Sequence, residues 1–99
     1  MSSSDKSIHK SIQRVKELSH SLNLKADVIQ RANEMIKQIT DKETLKGRSI
    51  DARVATVIFM ASRMENQPKP IKTILAFTDC SQKELSKCYK ALKEQFPAY

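Results

Sequence analysis

The side chains of this chain that could do chemistry are mostly cations, and their spacing points to binding rather than to catalysis. Lys46-Gly47-Arg48 encloses the only glycine between two positive charges. A residue without a Cβ lets backbone come close to a phosphate or a narrow groove, and an arginine can enter a minor groove. The same glycine suits a helix C-cap equally well, and both roles can coexist. Further along, Lys83, Lys87, Lys90 and Lys93 recur at helical spacing as a basic stripe, with Gln82 and Lys83 at its start. Gln can pair with adenine and Lys with guanine, so these two could read a major groove. Arg63 ends an otherwise apolar segment, where a cation must reach solvent or find a carboxylate. It is the more pointed candidate for an acidic protein partner, and Lys83, Lys87 and Lys90 are the others.

Catalysis finds no support in the residue pattern. His9 and His20 are far in sequence from Cys80 and Cys88, so no metal-ligand spacing occurs, and no catalytic residue, metal, cofactor or small-molecule substrate is implied. Phosphate-cradling loops need several glycines. Cys80, just ahead of a helix start, could have a lowered thiol pKa, but a small residue in a packed corner is the plainer reading. If the two cysteines share one helix they stand ~12 Å apart, too far for a bridge, which fits a reducing compartment.

The elements that position these groups follow from composition and period. The 99 residues hold one glycine and three prolines, which leaves little room for β-turns and predicts one all-helical domain over 1–99. Lys+Arg 18 against Asp+Glu 11 gives a formal charge of +7, favouring a polyanionic partner. No apolar run approaches a membrane span, and the N-terminal residues show neither a signal region nor an acylation site, so no membrane partner is expected.

Five helices are expected, at about 4–22, 25–40, 50–65, 71–77 and 82–95. The first carries the stripe Ile8, Ile12, Val15, Leu18 and Leu22 after polar capping candidates from Ser4, and Asn23 offers its break. In the second, Ile29, Ala32, Ile36 and Ile39 point inward with Val28 and Met35 flanking. Its end falls to residues 40–44 and to Gly47. The third, with Ser49 as N-cap and Asp51 in its first turn, contains VATVIFMA (54–61) and is apolar all round, which places it at the centre of the domain. Residues 66–70 stop it, and Pro70 can stand in the first turn of a short fourth helix. Thr78-Asp79-Cys80 makes a corner. Ser81 followed by Glu84 is a capping-box pattern for the fifth helix, whose buried face is Leu85, Cys88, Tyr89, Leu92 and Phe96.

LKGRSIDARVATVIFMASR (45–63), the PKPIKTI segment and SQKELSKCYK (81–90) occur in that order, and together they resemble the first cyclin-like repeat of the transcription factor IIB family, with its archaeal counterpart transcription factor B. The resemblance runs from about Asp5 to Gln95 and implies a five-helix cyclin box. It also implies a general transcription initiation factor that clamps the TATA-binding protein on bent promoter DNA and bridges it to RNA polymerase II. By that resemblance Gly47 and Arg48 would reach the minor groove downstream of the TATA element, Arg63 would pair with an acidic residue of the TATA-binding protein, and Lys83 and Lys87 would lie on a basic helix facing protein and DNA. The location implied is nuclear, or cytoplasmic for an archaeal source. Asp79 and Gln82 depart from the family's usual basic residues, which weakens a surface for acidic activators more than the minor-groove contact. The family's zinc ribbon, reader segment and second repeat are not in this sequence, so either a fragment or a one-repeat member is expected, binding DNA weakly alone.

Two other classes fit parts of the pattern. A cyclin-box module would regulate an enzyme partner without touching DNA. An autonomous helix-turn-helix domain would read a sequence through Gln82 and Lys83.

Overall fold

In the computed structural model, the described residues form five helices packed around a common core: α1 (Ser3–Leu22), α2 (Ala26–Asp41), α3 (Ile50–Met64), α4 (Ile71–Leu75) and α5 (Gln82–Gln95). Residues 3–97 are described, with 3–5 by backbone alone, so the capping candidates at the start of α1 lie outside the described side chains. No strand occurs among the described residues.

Helix α3 packs against each of the other four helices. Every residue from Val54 to Ser62 is buried. Burying a hydroxyl is costly unless it is hydrogen-bonded. Thr56 Oγ1 therefore donates to the Ala52 carbonyl at 2.7 Å, and Ser62 Oγ to the Phe59 carbonyl at 2.9 Å. Ser49 caps the helix start as its sequence position predicts, its hydroxyl accepting from Ala52 N–H at 3.1 Å.

The ends of the first three helices share one device. Asn23, Glu43 and Asn66 each have positive φ, near +57°, +55° and +59°. Around each, one N–H bonds back five residues and another three: Leu24 to Ser19 with Asn23 to His20, Thr44 to Ile39 with Glu43 to Thr40, Gln67 to Ser62 with Asn66 to Arg63. This pairing closes a helix C-terminus with a left-handed residue just beyond its cap. Gly47 thus does not close α2: Lys42 is the C-cap and Glu43 is the left-handed residue just beyond it. Gln67 then joins two of these ends, its Oε1 accepting from Lys25 N–H at 2.8 Å and its Nε2 donating to the Asn23 carbonyl at 3.1 Å.

Other expectations shift in detail. Val28 is fully buried and Ile29 only partly, the reverse of the stripe predicted on α2. These neighbours are separated by about 100° on a helix, and the approach of α1 and α3 decides which one enters the core. Pro70 is the N-cap of α4 rather than part of its first turn, and α4 stops at Leu75, leaving Phe77 exposed. Lys25 likewise caps α2 instead of beginning it.

The corner between α4 and α5 is fixed by a partly exposed hydrogen-bond network. Arg14 Nε on α1 donates to Asp51 Oδ1 on α3 at 3.0 Å, and Arg14 Nη2 donates to the Phe77 carbonyl at 2.6 Å. Asp79 N–H donates to Asp51 Oδ2 at 2.8 Å. One carboxylate thereby ties three segments together. The Arg14 hydrogen bond is the main cause holding the Asp51 pKa below the ordinary aspartate value; burial opposes it and the Asp79 N–H adds to it.

Candidate nucleic-acid and protein interface

The connection from Lys42 to Ser49 places the Lys46-Gly47-Arg48 group, and it is wound tightly. Lys46 N–H bonds to the Glu43 carbonyl at 3.2 Å, and Arg48 N–H to the Leu45 carbonyl at 3.1 Å. In each of these two overlapping turns the third residue has positive φ: Leu45 at +65° and Gly47 at +84°. Glycine is favoured at that position because a side chain there is strained. Leu45 tolerates the same conformation because its side chain is anchored in the core. Nothing lies within 4 Å of where a Gly47 Cβ would stand, so its surroundings are open to a partner.

This connection lies along α5. Thr44 Oγ1 donates to Gln95 Oε1 near the end of that helix, while Arg48 Nη1 stands 3.6 Å from Glu84 Oε2 near its beginning. Glu84 N–H meanwhile donates to the capping hydroxyl of Ser81 at 3.1 Å. On a helix turning about 100° per residue, Lys83, Lys87 and Lys90 fall on the solvent side of Glu84, away from buried Leu85 and Leu92. Arg48 and the lysine row are therefore neighbours, separated by one carboxylate. Lys46 is exposed and 3.7 Å from Glu43, an ion pair of the open surface.

Arg63 lies on the other flank of α5. Its guanidinium stands over the Phe59 ring at 5.6 Å; Phe59 meets Tyr89 edge to face with centroids 5.3 Å apart, and Lys93 Nζ stands over Tyr89 at 5.7 Å. Lys93 thus leaves the stripe expected from spacing and joins the aromatic cluster. No carboxylate is within ion-pair distance of Arg63 among the described residues, so it reaches solvent. It borders a cleft of about 540 Å³ lined by Phe59, Asn66, Pro68, Lys69 and Pro70.

Sequence patterning missed Glu84 as the partner of Arg48, because capping explained it fully. It also missed the pairing of Phe59 with Tyr89, whose only signal was that both were assigned to buried faces.

The two cysteines are free and buried. Burial, with the Glu84 charge next, pushes the Cys80 thiol up to about 11, and burial raises that of Cys88 as well. The plainer reading of Cys80 as a packed corner residue holds. Among the described residues no group of three metal-ligating side chains occurs, and no helix is long and apolar enough to cross a membrane.

Residues 4–95 match the family described as "Transcription factor TFIIB repeat". The chain is similar to transcription initiation factor IIB of Drosophila melanogaster, 37% identical over 90 residues, or 91% of this chain and 29% of that protein. It is 36% identical to the Dictyostelium discoideum factor and 32% to that of Homo sapiens, each over 92 residues and 93% of this chain. It spans 28% and 29% of those two proteins respectively.

Proposed function

This chain belongs to the TFIIB repeat family, whose fold is cyclin-like, and from that premise we propose that it is a scaffold of the transcription initiation complex. It holds the TATA-binding protein and promoter DNA together and contributes to the bridge toward RNA polymerase II, in the nucleus of a eukaryotic source or the cytoplasm of an archaeal one. The observation that carries this reading is the separation of two cationic side chains by one buried helix. Arg48 precedes α3 and Arg63 ends it. By helical rise α3 spans about 20 Å from Ile50 to Arg63.

In this division of labour Lys46, Gly47 and Arg48 meet the DNA backbone and minor groove, and Lys83 and Lys87 extend the same charged surface along α5. Arg63, with the aromatic cluster beneath it, meets an acidic side chain of the TATA-binding protein. Lys83, Lys87 and Lys90 add a protein-facing rim. A planar guanidinium suits a bidentate carboxylate contact, and its stacking on Phe59 holds it ready for one.

Band-shift assembly of a ternary complex on a TATA-containing duplex tests the assignment. Arg48→Ala is expected to weaken the complex several-fold, with a thermal melt lowered by no more than the loss of one partly exposed ion pair, about 0–1 kcal/mol. Normal assembly by that variant would remove the loop from the interface. The cleft beside Arg63 favours a second reading, a protein-binding module indifferent to DNA. Binding of an acidic partner with no salt-dependent affinity for duplex would establish it instead.

A further inference from the structure

We propose that Glu84 is an internal competitor for Arg48, holding the guanidinium on α5 until a DNA phosphate displaces it. This rests on the reading of Arg48 as a DNA contact and adds a residue that sets how readily the contact forms.

The geometry is that of a latch between two segments. Arg48 Nη1 stands 3.6 Å from Glu84 Oε2, and both side chains are about one-third exposed, at 38% and 33%. The pair is neither sealed in the core nor freely solvated, so a ligand can reach it. Glu84 is held in place from its own side, since its N–H is bound by the Ser81 cap and its helix is anchored by buried Leu85 and Cys88. Arg48 is held from the other, in a turn closed on Leu45 and pinned by that buried side chain. The two backbones are thus already fixed, and only the side chains must be ordered for the pair to form. By contrast Lys46 and Glu43 are both largely exposed at 3.7 Å and compete little.

For Arg48 to contact a phosphate, the pair must open. Glu84 is then left without its cation, beside the lysine row that the same DNA would approach. Its negative charge opposes DNA twice, by occupying Arg48 and by repelling the backbone. Part of the affinity of the loop is thus spent within the molecule.

Fluorescence anisotropy with a labelled 20-base-pair duplex at low salt, in a double-mutant cycle, tests this. Glu84→Gln is expected to tighten binding about threefold to fivefold, the range of a partly exposed ion pair. Glu94→Gln, which changes the net charge equally on the same helix, should give a smaller gain. In an Arg48→Ala background the gain from Glu84→Gln should fall to the Glu94→Gln level, because no pair remains to be released. Thermal melts confirm that each variant folds. An undiminished gain in the Arg48→Ala background overturns the latch while leaving Arg48 as a DNA contact. No loss of affinity on Arg48→Ala in the otherwise unchanged chain overturns both.

Discussion

Gly47 has φ near +84° with open space where a Cβ would stand, so replacing it costs conformation rather than a clash. Gly47→Ala is expected to lower stability by about 1–2 kcal/mol, the cost of a left-handed L-residue. In a domain of this size that lowers the melting temperature by about 4–8 °C per kcal/mol. Gly47→Asn should lose less, because Asn tolerates that region better. If the glycine also allows DNA to approach closely, Gly47→Asn will weaken DNA binding while keeping most of its stability; thermal melts and anisotropy on the same variants separate the two roles. Arg63→Ala behaves differently. It loses a stacking contact worth about 0.5–1 kcal/mol at an exposed site, so its melt should move only slightly while ternary assembly fails. A single glycine between cations was visible in the sequence; that Glu43 supplies the left-handed residue closing α2 in its place was not. Glu43 carries no residue-type signal for positive φ, and the hydrogen bonds from Glu43 and Thr44 back to α2 impose it.

Between elements, much of the architecture was legible because it rests on local signals. Ser49 and Ser81 start their helices where capping predicts, and the all-apolar run of α3 could only be central. What was not legible joins residues far apart in sequence. Arg14 and Asp51 are 37 positions apart, and no periodicity links them. Their network positions the α4–α5 corner, and hence the start of the helix that carries Lys83 and Lys87. Asp51→Asn should therefore destabilise the fold by about 1–3 kcal/mol, the cost of a disturbed, partly exposed hydrogen-bonded charge. The same contact has a pH signature. The folded-state pKa of Asp51 is lowered, so its stabilisation is complete above the unfolded value, near 3.8, and is lost as pH falls through the folded value. Urea titrations from pH 6 down to pH 2 should show a stability decline that is shallower in Asp51→Asn. A parallel decline in both proteins would mean that other carboxylates carry the acid sensitivity.

For the whole molecule, the fold divides the cations around α5 between two faces. A formal charge of +7 promises attraction to any polyanion, but only the distribution around α5 gives it direction. Arg48 and the lysine row lie to one side, Arg63 with its aromatic support to the other. The chain spans under a third of the length of each of these relatives, and within it Glu84 subtracts from the positive charge beside α5. DNA binding by the domain alone should be weak and steeply salt-dependent, with a log–log slope of roughly 0.9 per phosphate neutralised. The measurement that bears most directly on the scaffold reading is a band shift of this domain on a TATA-containing duplex, with and without the TATA-binding protein. The account predicts weak, salt-sensitive binding alone and a distinct, tighter complex when the TATA-binding protein is present, lost with Arg63→Ala and weakened with Arg48→Ala. Equal affinity with and without that protein, for any duplex or for one preferred sequence, would contradict it.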